Sequence, residues 1–388
     1  MLLRAHHPEV TTDYGAEEAA MQAYLAAGAE RARALGNRGP IRFDTDGSIA
    51  ADILEAYQCT GFYVFENVIG AAERADLERD LEAVLERAPV NEGATVDRAG
   101  RPALGVDCTA PTFFWSRPLA DPFGGTELAN GRHPAKMYEP RAAGDAPEKI
   151  MYLFLGSLQF SDACLRLYGH PGLLAVAAAV NGPDFTPFNE GVWIKNPGQG
   201  ASVAWHQDGV THWDSPALDG GTHGFNFMAQ LYGCTPANGV WVVPGSHRRG
   251  KLDIKAMVAA AGSDRLPAAV PIVCAPGDVA MCNRQTVHGS FANTSRDTRV
   301  TINFGFHRLK SVLGVTAGGV HNAVATYTAE RISERSRLIA YAIDARRQRY
   351  PDEVPFVYAP FAGHEDEYRW HEAVRPTLRD YNLQDLSI

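Results

Sequence analysis

The chain of 388 residues is 45% apolar, enough to bury a substantial core, and is long enough for one large domain with insertions or for two small ones. Its net charge of -9 argues against nucleic acid or an anionic membrane surface as the main partner, since either calls for a clustered basic face; a small molecule is the expected partner. Six cysteines without a C-x-x-C pair, an opening MLLRAHHPEV with no apolar leader, and no apolar run of bilayer length point to reduced thiols in the cytoplasm.

Residues 17–35 (EEAAMQAYLAAGAERARAL) begin acidic, end basic and hold good helix formers between, so a helix is expected there. Its apolar face is mostly alanine, suited to the domain surface or to a partner chain, and oligomeric state is left open. A helix at 49–57, a strand at 61–68 (GFYVFENV) and a helix at 71–88 follow, the last with Leu77, Leu81, Val84 and Leu85 at helical spacing. Between 89 and 147 periodicity fails and Gly, Pro, Asp and Arg punctuate the chain. So long an irregular stretch is either a substrate-enclosing loop or a surface insertion. Helical signals return at 157–168 and at 171–180, where the short apolar run LLAVAAAV reads as a buried helix.

After Gly182 the pattern changes to short strands, at 188–195, 202–206, 224–234, 240–243, 270–274, 278–282 and 299–309, broken by turns such as Asn196-Pro197-Gly198 and Pro276-Gly277. Short strands at this spacing indicate an all-β barrel or a double-sheet jelly roll. A helix at 329–349, with Ile332, Leu338, Tyr341 and Ile343 on its apolar face, and a tail carrying Phe356, Tyr358, Phe361, Tyr368 and Trp370 end the chain. The expected organisation is a single domain: a helical extension (1–40), a helical flank (41–184) with an insertion at 89–150, a β core (185–309), and a C-terminal helix with an aromatic tail (310–388). The insertion and the tail are the candidates for substrate enclosure.

His206-Gln207-Asp208, with His288 eighty positions beyond Asp208, supplies two imidazoles and a carboxylate without a cysteine. That is the ligand set of a facial triad, which holds iron(II) on one face and leaves positions open. In a strand, positions i and i+2 share a face, so one segment can supply two ligands and a distant strand the third. Arg299 opens a strand eleven positions after His288, with Ser290 two positions past that histidine. An arginine fork directed into a barrel holds a carboxylate bidentately, and the hydroxyl adds a hydrogen bond, so a chelating keto acid is suggested.

WHQDG (205–209), NGVWVVPGSH (238–247), PGDV (276–279) and H-x-S with an arginine eleven positions after the histidine occur in the order in which they resemble the phytanoyl-CoA dioxygenase family. The resemblance covers about 188–309, with GFYVFENV and its flanking helices similar to the family's N-terminal portion. It implies a mainly β fold with flanking helices and a double-stranded β-helix (jelly-roll, cupin-like) core, in an iron(II), 2-oxoglutarate and O2 dependent oxygenase. Position by position it implies that His206, Asp208 and His288 hold iron, and that Arg299 and Ser290 hold the distal carboxylate of 2-oxoglutarate. Succinate, carbon dioxide and an oxidised small molecule, usually hydroxylated, are the implied products. Asp208 keeps the position that is small in halogenases of the wider superfamily, which disfavours halogenation.

Other residues carry two readings. His212-Trp213-Asp214 repeats H-x-D but is expected in a loop, where His212 and Asp214 read either as loop polarity or as substrate contacts and Trp213 as a lining of the cofactor or substrate pocket. Lys195 and Asn196 either reach the cofactor or form a solvated turn. Gln230, Asn226 and Tyr232 alternate along one strand and either face cofactor and substrate or face solvent. His247 reads as structural. The alternatives to an oxygenase are a metal-binding barrel without turnover, acting as a sensor or partner module, and a barrel hydrolase or isomerase using another divalent metal.

Overall fold

The structure is a computed structural model that describes residue 3 and residues 12–208, 224–318 and 323–385. After α1 (Glu18–Ala34), a short strand β1 (Arg38–Gly39) leads into α2 (Ala51–Thr60), β2 (Phe62–Phe65) and α3 (Ala71–Arg87). The long segment that follows contains β3 (Phe113–Ser116), which pairs with β4 (Ile150–Leu155), and then come α4 (Ser157–Phe160), α5 (Asp162–Tyr168) and α6 (Pro171–Asn181). Next are β5 (Thr186–Lys195), β6 (Val203–His206), β7 (Gly224–Gln230), β8 (Trp241–Val242) and α7 (Ile254–Ala261). The sheets are completed by β9 (Val270–Pro271), β10 (Val279–Asn283), β11 (His288–Ser290) and β12 (Arg299–His307), after which come α8 (Leu309–Val312) and α9 (Ala329–Arg349).

The strands form an eight-stranded sheet in the order β1-β2-β10-β7-β12-β5-β4-β3 and a four-stranded sheet in the order β6-β11-β8-β9. All pairings within them are antiparallel except β1 with β2. The two sheets face each other as a jelly roll, and hydrogen bonds such as Lys195 Nζ to Ser290 Oγ cross between them. The larger sheet draws β1 to β4 from outside the expected 185–309 span. The run IMYLFL of β4 is not among the expected strands, because a strand covered on both faces loses its alternation and reads as a plain apolar run.

Alternation in β7 and β12 builds the two faces of the large sheet. Phe225, Phe227 and Ala229, with Val300, Ile302, Phe304 and Phe306, join the core beneath α2, α3, α5, α6 and α9. Their neighbours Asn226, Gln230, Arg299 and Thr301 face the barrel interior and are also buried. The expected helix at 157–168 is two helices, because Ser161 turns extended and its Oγ accepts the Cys164 N–H, capping α5. No single helix among the described residues is long and apolar enough to cross a membrane, and α5 and α6 reach that composition only as a pair bent by 43° within the helical core. All six cysteines are free.

α1 is not a free surface element but lies on the small sheet. Met21 and Leu25 are buried with Trp241 and Phe291, and the Tyr24 ring stacks on Trp241 at 4.6 Å. Gly28 permits this approach, because a Cβ there would come within 2.2 Å of the Trp241 ring. The aromatic tail folds back over the helical face of the large sheet, where Tyr358 Oη donates to Phe185 O at 2.5 Å. Tyr381 Oη donates to Glu190, which stands on the outer face of β5 and also accepts the Ser157 N–H at 2.9 Å and the Ser157 hydroxyl. Beside them the buried Arg335 pairs with Asp385 and lies over the Tyr381 ring.

Gly28→Ala should gain about 1 kcal/mol in helix propensity yet destabilise the protein by a net 1–3 kcal/mol or so, because the methyl group overlaps the Trp241 ring. Chemical denaturation measures this, and a more stable variant would contradict the close approach. Burial raises the Glu190 carboxyl from 4.5 to about 7, with Asp385 adding to the shift against the Ser157 and Tyr381 hydrogen bonds. A carboxyl whose value is raised by folding stabilises below its unfolded value and loses that contribution as pH rises through about 7. Between pH 5 and 8 the wild type should therefore lose roughly 2–3 kcal/mol relative to Glu190→Gln, and parallel pH profiles for the two proteins would refute the assignment.

Candidate metal centre

β6 ends at His206 and β11 begins at His288, and the two residues are direct antiparallel partners. Their imidazole centroids lie 4.0 Å apart. Each Nδ1 faces a carbonyl two residues back in its own segment, His206 toward Ala204 O and His288 toward Thr286 O, both at 2.8 Å. A carbonyl oxygen only accepts, so these bonds put the proton on Nδ1 and leave each Nε2 lone pair free. The two Nε2 atoms stand 3.6 and 4.0 Å from the oxygens of Asp208.

Asp208 lies two residues past the strand end rather than within it. Its N–H is bonded to Arg284 O at 2.8 Å, and Asn226 Nδ2 donates to its Oδ2 at 3.1 Å. Gln207 points the other way and is tied to Gln285 O, Gly250 O and the Leu252 N–H, which fixes the segment between the two donors. Donor atoms from His206, Asp208 and His288 all lie within 4.8 Å of one another. Burial, aided by the nearby His133 and His288, keeps His206 neutral. Burial alone would raise the Asp208 carboxyl, but Arg132 at 3.7 Å, His288, Arg284 at 3.8 Å and His206 hold it far below the usual carboxylate range. Two imidazoles whose Nε2 atoms face one carboxylate, with no thiolate, fit a divalent iron with open coordination positions.

A second cluster lies deeper in the barrel. Arg299 and Lys195 face each other across β12 and β5, both buried. Arg299 Nη1 donates to Asn238 O at 2.9 Å, while its Nε is buried without a hydrogen-bond partner. Lys195 Nζ donates to Ser290 Oγ at 2.8 Å. Burial pushes Arg299 down to about 10 and, with Arg299 beside it, takes Lys195 well below its ordinary range. Two desolvated cations and a hydroxyl form a place that a carboxylate would relieve.

Of the alternating residues on β7, Asn226 and Gln230 face inward. Asn226 bonds Asp208, and Gln230 Oε1 accepts the Thr301 hydroxyl at 3.0 Å. Tyr232 instead reaches Glu78 on α3. His247 is structural, its Nε2 bonded to Gln58 O at 3.0 Å. His212, Trp213 and Asp214 lie outside the described residues. The motifs missed three site residues. The His133 ring stacks between His206 at 4.0 Å and Phe123 at 5.0 Å. Arg132 and Arg284 both approach Asp208, Arg284 lying over the Phe188 ring at 3.6 Å. Residues 132 and 133 belong to the irregular insertion, which thus reaches the triad, while the tail packs on the opposite face of the large sheet.

The sequence profile described as Phytanoyl-CoA dioxygenase (PhyH) matches residues 57–301. No curated protein sequence matches the chain. Among solved structures, AviO1 from Streptomyces viridochromogenes Tue57 is similar at 23% identity, over 66% of this chain and 94% of that one, with a TM-score of 0.44. EctD from S. alaskensis with 2-oxoglutarate and 5-hydroxyectoine is similar at 20% identity, over 70% and 81%, with a TM-score of 0.47. The non-heme alpha ketoglutarate dependent carbocyclase SnoK from nogalamycin biosynthesis is similar at 16% identity, over 71% and 88%, with a TM-score of 0.45.

Proposed function

The chain belongs to the phytanoyl-CoA dioxygenase family of iron(II) and 2-oxoglutarate dependent oxygenases, and we propose that His206, Asp208 and His288 are its iron ligands. The observation that carries this is the pairing of His206 with His288, which points two free Nε2 atoms at a carboxylate fixed by Asn226. When bound, iron(II) with 2-oxoglutarate and O2 supplies the oxidising equivalent that attacks a substrate C–H bond, with succinate and carbon dioxide as coproducts.

The remaining steps belong to the chain's own residues. Arg299, Lys195 and Ser290 receive the distal carboxylate of 2-oxoglutarate, which gives the unpartnered Arg299 Nε an acceptor. Gln230, held by Thr301, lines the same inner face of the barrel. The carbonyls of Ala204 and Thr286 fix the tautomer and plane of each imidazole, and the His133 ring packs on His206 to hold it there. Asp208 occupies the carboxylate position, so the outcome is oxidation, most simply hydroxylation, of a small organic molecule rather than halogenation. The whole chain acts as one oxygenase domain in the cytoplasm, with α1 and the tail as buttresses of the barrel.

Anaerobic addition of iron(II) and 2-oxoglutarate should give a visible charge-transfer band, and His206→Ala should abolish it while leaving the fold intact by circular dichroism. Folded wild type without a band would sink the assignment. Arg299→Ala removes a charge-assisted anchor of about 1.5–3 kcal/mol, so half-saturation by 2-oxoglutarate should rise about 10- to 100-fold. An unchanged 2-oxoglutarate titration would remove Arg299 from the cosubstrate site.

A further inference from the structure

The segment 121–137 lies in the part of the chain that no motif reached, yet it delivers two side chains to the triad. Asp121 anchors it, accepting the N–H groups of Phe123 (3.0 Å), Gly124 (2.9 Å) and Met137 (3.1 Å). Between these anchor points Ala129 (φ 53°), Asn130 (φ 58°) and Gly131 (φ 65°) are left-handed in succession. For the two residues with a Cβ this conformation is strained, and strain persists where the surrounding structure over-determines it. Here it turns Arg132 and His133 inward, His133 onto His206 and Arg132 toward Asp208.

Arg132 differs from the other arginines of the barrel. Arg284 and Arg299 are fully enclosed, whereas the Arg132 side chain keeps 22% of its surface exposed while lying 3.7 Å from Asp208. Its Nε is buried without a hydrogen-bond partner, and its one ion-pair partner among the described residues is Asp208, at 3.7 Å and without a hydrogen bond. Once Asp208 serves a dication, the guanidinium meets the metal's positive charge instead of a carboxylate. The cosubstrate's distal carboxylate is matched to Arg299 and Lys195, and the charge of its chelating end is shared with the metal. A partly exposed cation beside the centre then still needs an anion.

We propose that Arg132 is a specificity-determining residue that binds an anionic group of the substrate, so that this oxygenase acts on a small organic acid or a phosphate or sulfate ester. The inference rests on the iron and 2-oxoglutarate reading above and adds the substrate's charge to it. A guanidinium fork presents two parallel N–H donors that match a carboxylate or a phosphate, and one such anchor fixes the distance from the charged group to the oxidised carbon.

The test uses anaerobic protein loaded with iron(II) and 2-oxoglutarate, titrated at constant ionic strength with acetate, sulfate or the neutral acetamide while the charge-transfer band is followed. A saturable shift with acetate or sulfate and none with acetamide is expected, and the preferred anion separates an organic acid from a phosphate or sulfate ester. Arg132→Ala should weaken that response at least tenfold, and by more than it weakens 2-oxoglutarate binding, while Arg132→Lys should restore part of it. The wild-type titration decides whether the anion site exists even if a variant folds poorly. No saturable response to either anion, an equal response from Arg132→Ala, or a loss confined to 2-oxoglutarate binding would overturn the proposal. Failure of the band to form at all would remove the iron reading first, and this inference with it.

Discussion

One antiparallel register, His206 opposite His288, is the constraint on which the site depends. Side chains alternate along a strand, so a slip of one residue in either strand would turn an imidazole out of the barrel. The local sequence defends this register. Gly289 sits where a Cβ would press on Val203 O and on the Trp205 ring, and Trp205 is itself pinned by Nε1 to Asp264 O at 2.6 Å. The pairing shifts between His288 and Ser290, so that Ser290 meets Val203, and Ser290 then accepts a hydrogen bond from Lys195 on the facing sheet. A bulge of this kind re-aims side chains at the end of a ladder, which places the proposed metal ligand and the proposed cosubstrate contact on one three-residue strand.

The second constraint is the sign of the buried charge. Lys195, Arg284 and Arg299 are each almost fully enclosed, and burial lowers all three. Lys195 donates to Ser290 Oγ and Phe291 O, Arg299 to Asn238 O, and Arg284 lies against the His307 ring with the Asp208 carboxylate at 3.8 Å. Desolvated cations held this way reduce the stability of the empty fold, and an anionic ligand recovers part of that cost on binding. A barrel interior of this composition therefore suits a dianionic cosubstrate. An apolar interior of the same volume would fold more stably and bind it less well.

Features carried by local chemistry were legible in the sequence. The H-x-D triplet, the distant histidine, and the serine and arginine at fixed offsets from it lie on or just past short strands marked out by the turns around them. The structure brings the side chains of His206, Asp208 and His288 together, and those of Lys195, Ser290 and Arg299 a layer deeper. Features set by contact between distant segments were not legible. Nothing in IMYLFL announces a strand, because both faces are covered and alternation is lost. Nothing in LAAGAER announces that Gly28 meets an indole 213 residues away. Arg132 and His133 stand in a stretch of Gly, Pro and charge that resembles a surface loop, and only the succession of left-handed residues at 129–131 reveals that it is built to turn inward.

The irregular insertion and the aromatic tail were equal candidates for enclosing a substrate, and β5 separates them. Its outer face carries Glu190, which receives Tyr381 from the tail, and its inner face carries Lys195, which serves the barrel. The described part of the tail, to residue 385, thus stands on the far side of the large sheet and acts on the centre through the position of β5. The insertion pairs β3 with β4 at the sheet edge and then crosses to the triad, where His133 touches a proposed ligand directly. A change in the tail acts on every substrate alike, through the stability of the scaffold. A change between residues 121 and 137 acts on what can approach the metal, and it is there that two relatives sharing this barrel would come to oxidise different molecules.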